Sequence, residues 1–262
     1  MIRILFFGDI VGQAGRNIVT SNISSLRESY KIDLVIANGE NAAHGKGITE
    51  KIYKQLVGSG VDVITMGNHT FAKSTIYNFI ENSDRLIRPL NMEPLNVGRN
   101  HIILDVKGKK ICIFNVIGDV FMVSSGISPF DVTRSFLDEI KADIYFCDFH
   151  GEATSEKILY AFEFQKIIQI VVGTHTHVQT ADERIIGKTA FISDVGMCGV
   201  YHSVLGRDVD ETLARLVYRQ ETHFKVAEGP AILCAVVVEI DEESLKAVNI
   251  ERIQIRPNEI IK

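Results

Sequence analysis

Short apolar runs alternate with longer amphipathic segments along much of the chain. Apolar positions at helical spacing predict a helix over residues 16–30. Thr49 precedes a second amphipathic segment and predicts a capped helix over 49–57. Further helices are predicted over residues 74–80, 131–140 and 154–166.

Strands are predicted where short apolar runs lie between turn residues, and Gly108 between two such runs predicts a hairpin. Strand–helix alternation early and antiparallel strands late predict an α/β protein with two packed sheets flanked by helices. No linker is visible, so we expect a single domain over residues 1–262, with a loop at 121–129. The predicted strands are 4–7, 34–37, 61–66, 102–106, 111–116, 144–149, 168–172, 190–192, 224–227, 232–240 and 247–255.

Polar residues follow the predicted strands at the points where these strands end. In an open α/β sheet, ligand sites form beyond the carboxyl ends of the strands. We therefore expect these side chains, which include four of the eight histidines, to converge on one site. The segments are Gly8-Asp9, Asn38-Gly39-Glu40-Asn41, Gly67-Asn68-His69, Asp148-Phe149-His150, Gly173-Thr174-His175-Thr176-His177 and Ser193-Asp194.

The side chains at these strand ends are typical of a metal site. Carboxylate, amide and imidazole groups suit divalent ions such as Mn, Fe or Zn. In His175-Thr176-His177, an extended backbone would place both rings on the same side of the strand. Such a pair can serve two adjacent ions or provide two ligands of one ion.

Composition narrows the class of protein and its location. The chain has 262 residues, with 28 basic against 33 acidic side chains, so we expect no extended nucleic-acid groove. No apolar run is long enough to span a membrane, and the N-terminus does not resemble a signal peptide. The four cysteines form no CxxC pair and are predicted to be buried free thiols of a cytoplasmic protein.

The ordered motifs GD, NGEN, GNH, FH and GTHTH resemble those of the calcineurin-like metallophosphoesterases, and more closely those of the bacterial YmdB-like phosphodiesterases. The resemblance implies a calcineurin-like four-layer α/β/β/α sandwich with two mixed β-sheets. It also implies a two-metal centre that hydrolyses phosphodiesters, including 2′,3′- and 3′,5′-cyclic nucleotides. The longer stretches that carry it are NGENAAHGKG (38–47), ITMGNHT (64–70), EATSEK (152–157), VVGTHTHVQTAD (171–182), SDVGM (193–197) and VAEGP (226–230).

The resemblance implies a ligand set for two divalent ions, Fe or Mn first, with Zn and Mg as alternatives. Glu40 would bridge the ions in place of the usual Asp, and Asn41 would replace the histidine that Val11 does not supply. Phe71-Ala72 stand where this branch has Trp-Asp. One ion would be held by Asp9, Glu40, Asn41 and His177, and the other by Glu40, Asn68, His150 and His175.

The residues beside the ligands have implied roles in the reaction. His69 would act as the general acid for the leaving alkoxide, or as a donor to the phosphate, while a hydroxide activated by the metals attacks. His44 and Lys46 lie in a glycine-flanked loop and are candidate substrate contacts.

Other functions of the same centre stay open. A phosphomonoesterase or 5′-nucleotidase would need further cations, for which Lys46, Lys73 and Arg207 are candidates. A regulatory RNA-associated protein with secondary phosphodiesterase activity would carry the same motifs. A dinucleotide-binding oxidoreductase is disfavoured, because the glycines after the first strand are spaced GxxxGxxG rather than GxGxxG. No motif specifies the assembly state, so a homo-oligomer stays open.

Overall fold

The computed structural model describes residues 1–123 and 126–257, and in this part of the chain two β-sheets are flanked by helices. Its helices are α1 (Gly12–Ser29), α2 (Glu50–Gly58), α3 (Pro129–Glu139), α4 (Thr154–Phe164) and α5 (Val209–Leu216). Its strands are β1 (Ile2–Phe7), β2 (Asp9–Ile10), β3 (Leu34–Asn38), β4 (Val63–Thr65), β5 (His101–Val106), β6 (Lys109–Ile117), β7 (Ile144–His150), β8 (Ile170–Thr174), β9 (Arg184–Ile186), β10 (Thr189–Ile192), β11 (Met197–Val200), β12 (Ala231–Ile240) and β13 (Ala247–Ile255).

The first sheet is mixed and has the strand order β2-β11-β12-β1-β3-β4, with β13 also paired to β12. Strands β1, β3 and β4 run parallel to one another, whereas β12 is antiparallel to β1. The carboxyl ends of the three parallel strands therefore share one edge of the sheet. The chain continues from this edge into the segments that carry Asp9, Glu40 and Asn68.

The second sheet is also mixed and has the order β5-β6-β7-β8-β10-β9. Its four central strands are parallel, and the outer strands β5 and β9 are antiparallel to their neighbours. His150 at the end of β7 lies opposite Thr174 at the end of β8. The motif with His175 and His177 begins at this same edge.

Alternating side chains of the strands separate the molecule into four layers. Phe6 of the first sheet and Phe146 of the second pack between the sheets, with ring centroids 5.4 Å apart. Leu5, on the other face of β1, packs toward α1 and α2, while Phe114 packs toward α3 and α4. Each such fully buried side chain contributes roughly 1.5–3 kcal/mol. The predicted four-layer α/β/β/α sandwich with two mixed sheets is confirmed.

Two predicted elements are wrong. The segment 74–80 is not an α-helix but the 3₁₀ turn Ser74–Asn78, followed by a second at Ile80–Asn82. The segment 224–227 is not a strand, and Val226 makes only an isolated bridge to Arg207. Val226 packs close to Gly12, and Phe224 and Val226 pack close to Gly45, rather than joining a sheet.

Three other sequence predictions concern the rest of the chain. All four cysteines are buried free thiols, as predicted. The predicted loop 121–129 ends where α3 begins at Pro129, and Ser124 and Ser125 lie outside the described residues. No helix in the described ranges is long and apolar enough to cross a membrane.

Candidate metal centre

His150 lies at the centre of the site with its imidazole held in one orientation. The side chain is fully buried at the end of β7. Its Nδ1 lies 2.9 Å from the Thr174 hydroxyl, which donates in turn to Asp148 Oδ1 at 2.7 Å. Because the hydroxyl proton goes to Asp148, Thr174 Oγ accepts from His150 Nδ1–H. In the neutral imidazole the lone pair is therefore on Nε2, where it can bind a cation.

Three further ligand atoms surround this Nε2. Asn68 Oδ1 lies 2.9 Å from it, His175 Nδ1 3.1 Å and Glu40 Oε1 3.3 Å. Ligand atoms that are each about 2.1 Å from a shared ion lie about 3.0–3.4 Å from one another. The distances from His150 Nε2 to Asn68, His175 and Glu40 are therefore those expected between ligand atoms of one shared ion.

A second group of polar atoms adjoins the first. His177 Nε2 lies 3.8 Å from Asp9 Oδ1, and its Nδ1 donates to Leu205 O at 3.0 Å. The Asn41 amide donates to Gly45 O at 3.0 Å, which leaves its Oδ1 as an acceptor. Among the described residues, Asp9 Oδ1 and Asn41 Oδ1 are buried without a hydrogen-bond partner. Such orphaned buried oxygens are rare, and a bound cation would satisfy both.

Glu40 lies where the two groups meet. It is 1% exposed, and its Oε2 accepts the His69 backbone N–H at 3.1 Å while Oε1 faces His150. Gly67 makes this close approach feasible, because a Cβ there would clash with Glu40 Oε2 and lie 2.6 Å from His150 Nε2. One oxygen of the carboxylate thus belongs to the group around His150, and the other accepts the His69 N–H.

The buried charges of the two groups shift one another's pKa values. Burial alone raises the pKa of Glu40, but the adjacent His150 outweighs it and lowers the pKa to about 2. Burial alone lowers the pKa of His150, but Glu40 and Asp9 raise it to about 9. Burial raises the pKa of Asp9 to about 6, and burial together with His150 lowers the pKa of His175 to about 4. A cation binding here would displace the proton of His150.

The backbone of His175 and His177, the two histidines of the GTHTH motif, differs from the sequence prediction. Strand β8 ends at Thr174, and His175 and His177 have φ values of 99° and 65°. The segment is therefore not extended, and the expectation that both rings share one side of a strand is wrong. The left-handed conformations turn His175 toward His150 and His177 toward Asp9.

The other predicted site residues are His69, Lys46 and His44, and of these His69 contacts a predicted ligand directly. The backbone of His69 contacts Glu40, and burial lowers the pKa of its imidazole, with the Lys46 ammonium acting in the same direction. Lys46 is exposed, and its Nζ lies 5.5 Å from the centroid of the Phe224 ring. His44 is exposed and lines a cavity of about 850 Å³ beside α1, away from the cluster of ligand atoms.

Known proteins are similar to this chain in sequence and fold over nearly its whole length. The family described as YmdB-like protein matches residues 5–253. A Bacillus subtilis (strain 168) relative named 2′,3′-cyclic-nucleotide 2′-phosphodiesterase is 44% identical over 261 residues, covering 97% of each chain.

The chain belongs to the YmdB-like family.

Two solved structures extend the similarity to the fold. A hypothetical protein from Thermus thermophilus and a novel phosphatase from Mycoplasma pneumoniae are each 36% identical to this chain, with TM-scores of 0.91. Each alignment covers 97% of this chain, with 99% and 93% of the respective structures. The YmdB-like resemblance drawn from the motifs is therefore confirmed.

The sequence places Asp148 among the polar strand-end residues of this YmdB-like protein, but the orienting contacts of Asp148 and Glu152 were not predicted from it. Asp148 accepts from Thr174 and, through Oδ2, from Asn38 Nδ2 at 2.9 Å, which joins the segments of His150 and Glu40. Its position two residues before His150 on a strand places both on one face, a period-two signal that could have identified it. Glu152 Oε2 lies 3.2 Å from His175 Nε2, and this contact has no such signal.

Glu152 is expected to orient His175 for metal binding. An imidazole that donates Nε2–H to this carboxylate presents an unprotonated Nδ1 to the cluster. Glu152→Gln should therefore lower the affinity for Mn²⁺ by about 10–100-fold, as measured by competition with a chromogenic chelator. Glu163→Gln is the matched control, because Glu163 is similarly exposed (45% against 49%) but pairs with Arg134 instead. Equal Mn²⁺ affinity of both variants would contradict the role of Glu152.

Proposed function

We propose that this YmdB-like protein is a two-metal phosphodiesterase acting on small phosphodiesters, including 2′,3′- and 3′,5′-cyclic nucleotides. The observation that carries the proposal is the set of ligand atoms around His150 Nε2, at distances of 2.9–3.3 Å. The name of the Bacillus subtilis relative, a 2′,3′-cyclic-nucleotide 2′-phosphodiesterase, supports the substrate class.

The donor set fits a pair of divalent ions. The orphaned oxygens of Asp9 and Asn41 need a cation, and the oxygen and imidazole donors suit Fe or Mn, with Zn and Mg as alternatives. When bound, the ions would neutralise phosphate charge and lower the pKa of a water molecule toward neutrality. Asp9, Glu40, Asn41 and His177 would hold one ion, and Glu40, Asn68, His150 and His175 the other.

The remaining residues of the chain orient the ligands and handle the substrate. Thr174 fixes the direction of the His150 ring, and Glu152 fixes that of His175. His69 stands beside Glu40 and would donate to the phosphate or to the leaving oxygen. The exposed Lys46, which shares a loop with Asn41, would contact the substrate from the rim, whereas His44 lines the cavity beside α1.

Hydrolysis of a cyclic nucleotide needs only one proton delivered to the leaving oxygen. Water adds its oxygen to phosphorus, one of the two ring P–O bonds breaks, and the freed ribose oxygen gains a proton. The product is a single nucleoside monophosphate, because the phosphate stays attached to the ribose through the other P–O bond. With a 2′,3′-cyclic substrate, cleavage of the bond to O2′ leaves the 3′-monophosphate.

Arg207 is not free to supply the additional cation that would favour a monoester substrate. A monoester dianion would need an additional cation, and Arg207 is one of the few candidates. Its Nη2 is engaged by both carboxylate oxygens of Glu211, at 2.8 and 2.7 Å. The charge of Arg207 is therefore already balanced.

Removal of the metals is expected to stop turnover without unfolding the protein. The purified protein should contain Fe or Mn by elemental analysis, and should hydrolyse 2′,3′-cAMP, 3′,5′-cAMP and bis(p-nitrophenyl) phosphate faster than 5′-AMP. A chelator should abolish these activities while the circular dichroism persists, because a chain of this size buries roughly 70–75% of its unfolded surface. Adding back Mn²⁺ or Fe²⁺ should restore the rate.

The same substrate panel can contradict the proposal. Activity that persists in protein shown to be free of metal would exclude a metal-dependent mechanism. Faster hydrolysis of 5′-AMP than of every diester would instead identify a 5′-nucleotidase on the same centre. Product analysis with 2′,3′-cAMP then distinguishes cleavage at O2′ from cleavage at O3′.

A further inference from the structure

A buried cation and carboxylate lie beneath the loop that carries His175 and His177. Lys157 projects from α4, Asp194 follows β10, and each residue is 1% exposed. Lys157 Nζ lies 2.9 Å from Asp194 Oδ2. Neither residue is among the proposed ligands or substrate contacts.

This ion pair holds the backbone on both sides of His175. Lys157 Nζ donates to Thr174 O at 2.9 Å. Asp194 Oδ2 accepts from the Thr176 N–H at 3.0 Å and from its hydroxyl at 2.7 Å. The residues before and after the first ligand histidine are thus fixed through one pair of charges.

The loop that carries His175 and His177 has a backbone conformation that neighbouring residues must hold in place. His175 and His177 both lie in the left-handed region of φ, which side chains other than glycine rarely adopt. Residues held there persist only where the surrounding structure determines their conformation. Thr176 lies between them, so its two bonds to Asp194 restrain both histidines together.

The strand beneath the loop is shaped to admit the lysine. A Cβ at Gly173 would lie 2.9 Å from Lys157 Cδ and would overlap the backbone carbonyl of Ser193. Only glycine at this position lets the Lys157 side chain pass over β8 to reach Thr174 and Asp194. The glycine that opens the GTHTH motif therefore serves the ion pair as well as the close approach of β8 to Ser193.

We propose that Lys157 and Asp194 are a positioning pair that directs His175 and His177 toward the two ions. The inference rests on the proposed two-metal function. A buried ion pair is by itself weak evidence for stability, because desolvation of the two charges offsets their attraction. The pair instead restrains a strained ligand loop, so its loss should weaken metal binding beyond any loss of fold stability.

The test compares the removal of two buried basic side chains, Lys157 beneath the loop and Arg88 elsewhere in the protein. Lys157→Met keeps the stem of the side chain and removes the charge. Its Mn²⁺ affinity, measured on chelator-treated protein by competition with a chromogenic chelator, should fall about 10–100-fold. Arg88→Met is the control, because Arg88 is 2% exposed and donates to backbone carbonyls, including Val97 O at 2.9 Å. It should lower the melting temperature while Mn²⁺ affinity stays at the wild-type value.

A second variant keeps the inference testable if Lys157→Met does not fold. Thr176→Val is nearly isosteric and removes only the hydroxyl bond to Asp194, so it should also weaken Mn²⁺ binding while the melting temperature of the metal-free protein changes little. Mn²⁺ affinities of Thr176→Val and folded Lys157→Met equal to the wild-type value would overturn the positioning role alone. A wild-type protein that binds no Mn²⁺, Fe²⁺ or Zn²⁺ would instead overturn the proposed function, and the inference with it.

Discussion

Replacement of Glu40 by glutamine is expected to reduce kcat/KM for phosphodiesters by about 10³-fold or more, equivalent to roughly 4 kcal/mol of barrier. The carboxylate is buried beside His150 Nε2. In the proposed centre it gives one oxygen to each ion. An amide offers one oxygen and no negative charge, so both ions should bind more weakly. Elemental analysis after gel filtration should show that metal content falls together with activity.

A control for Glu40→Gln comes from the opposite end of the same sheet. Glu239 pairs with Arg3 at the start of β1, whereas the metal centre lies beyond the strand's carboxyl end. Glu239→Gln should keep both metal content and turnover. A Glu40→Gln protein with two ions and the wild-type rate would show that Glu40 does not bridge the centre.

Much of the fold follows from local signals along the chain. The apolar runs locate the long strands, and Thr49 caps α2 by accepting the Ile52 N–H. Elements without such signals were missed. Strands β2, β9 and β11 have two to four residues, too few to show a period of two. The sequence did not predict helix α5. It also placed the start of α1 at Arg16 instead of Gly12, because the first four residues of the helix are polar or small and precede the apolar stripe.

The predictability of the site depends on distance along the chain. Residues that follow strands are visible from the sequence, because parallel strands bring their carboxyl ends to one edge. The contacts proposed to orient the ligands connect residues without a shared motif, as Lys157 and Asp194 do across 37 positions. The left-handed turns at His175 and His177 were also not foreseeable, since histidine normally favours negative φ.

Replacement of His69 by alanine is expected to separate chemistry from metal binding. The side chain is not among the proposed ligands, so His69→Ala should keep both ions. Its kcat should fall by about 10²–10⁴-fold, the range for loss of an acid catalyst or of a donor to the transition state. Asn68→Ala is the matched comparison on the neighbouring residue, because Asn68 Oδ1 lies 2.9 Å from His150 Nε2. That variant should lose metal and turnover together.

The dependence of this loss on the leaving group distinguishes the two roles of His69. A p-nitrophenolate leaving group hardly needs protonation, whereas the ribose alkoxide of a cyclic nucleotide does. If His69 is the general acid, His69→Ala should therefore lose much less activity on bis(p-nitrophenyl) phosphate than on 2′,3′-cAMP. An equal loss on both substrates would leave His69 as a donor to the charged phosphate, because that charge develops with either leaving group. Loss of metal from His69→Ala would instead make it part of the structure that holds Glu40, whose Oε2 accepts the His69 backbone N–H.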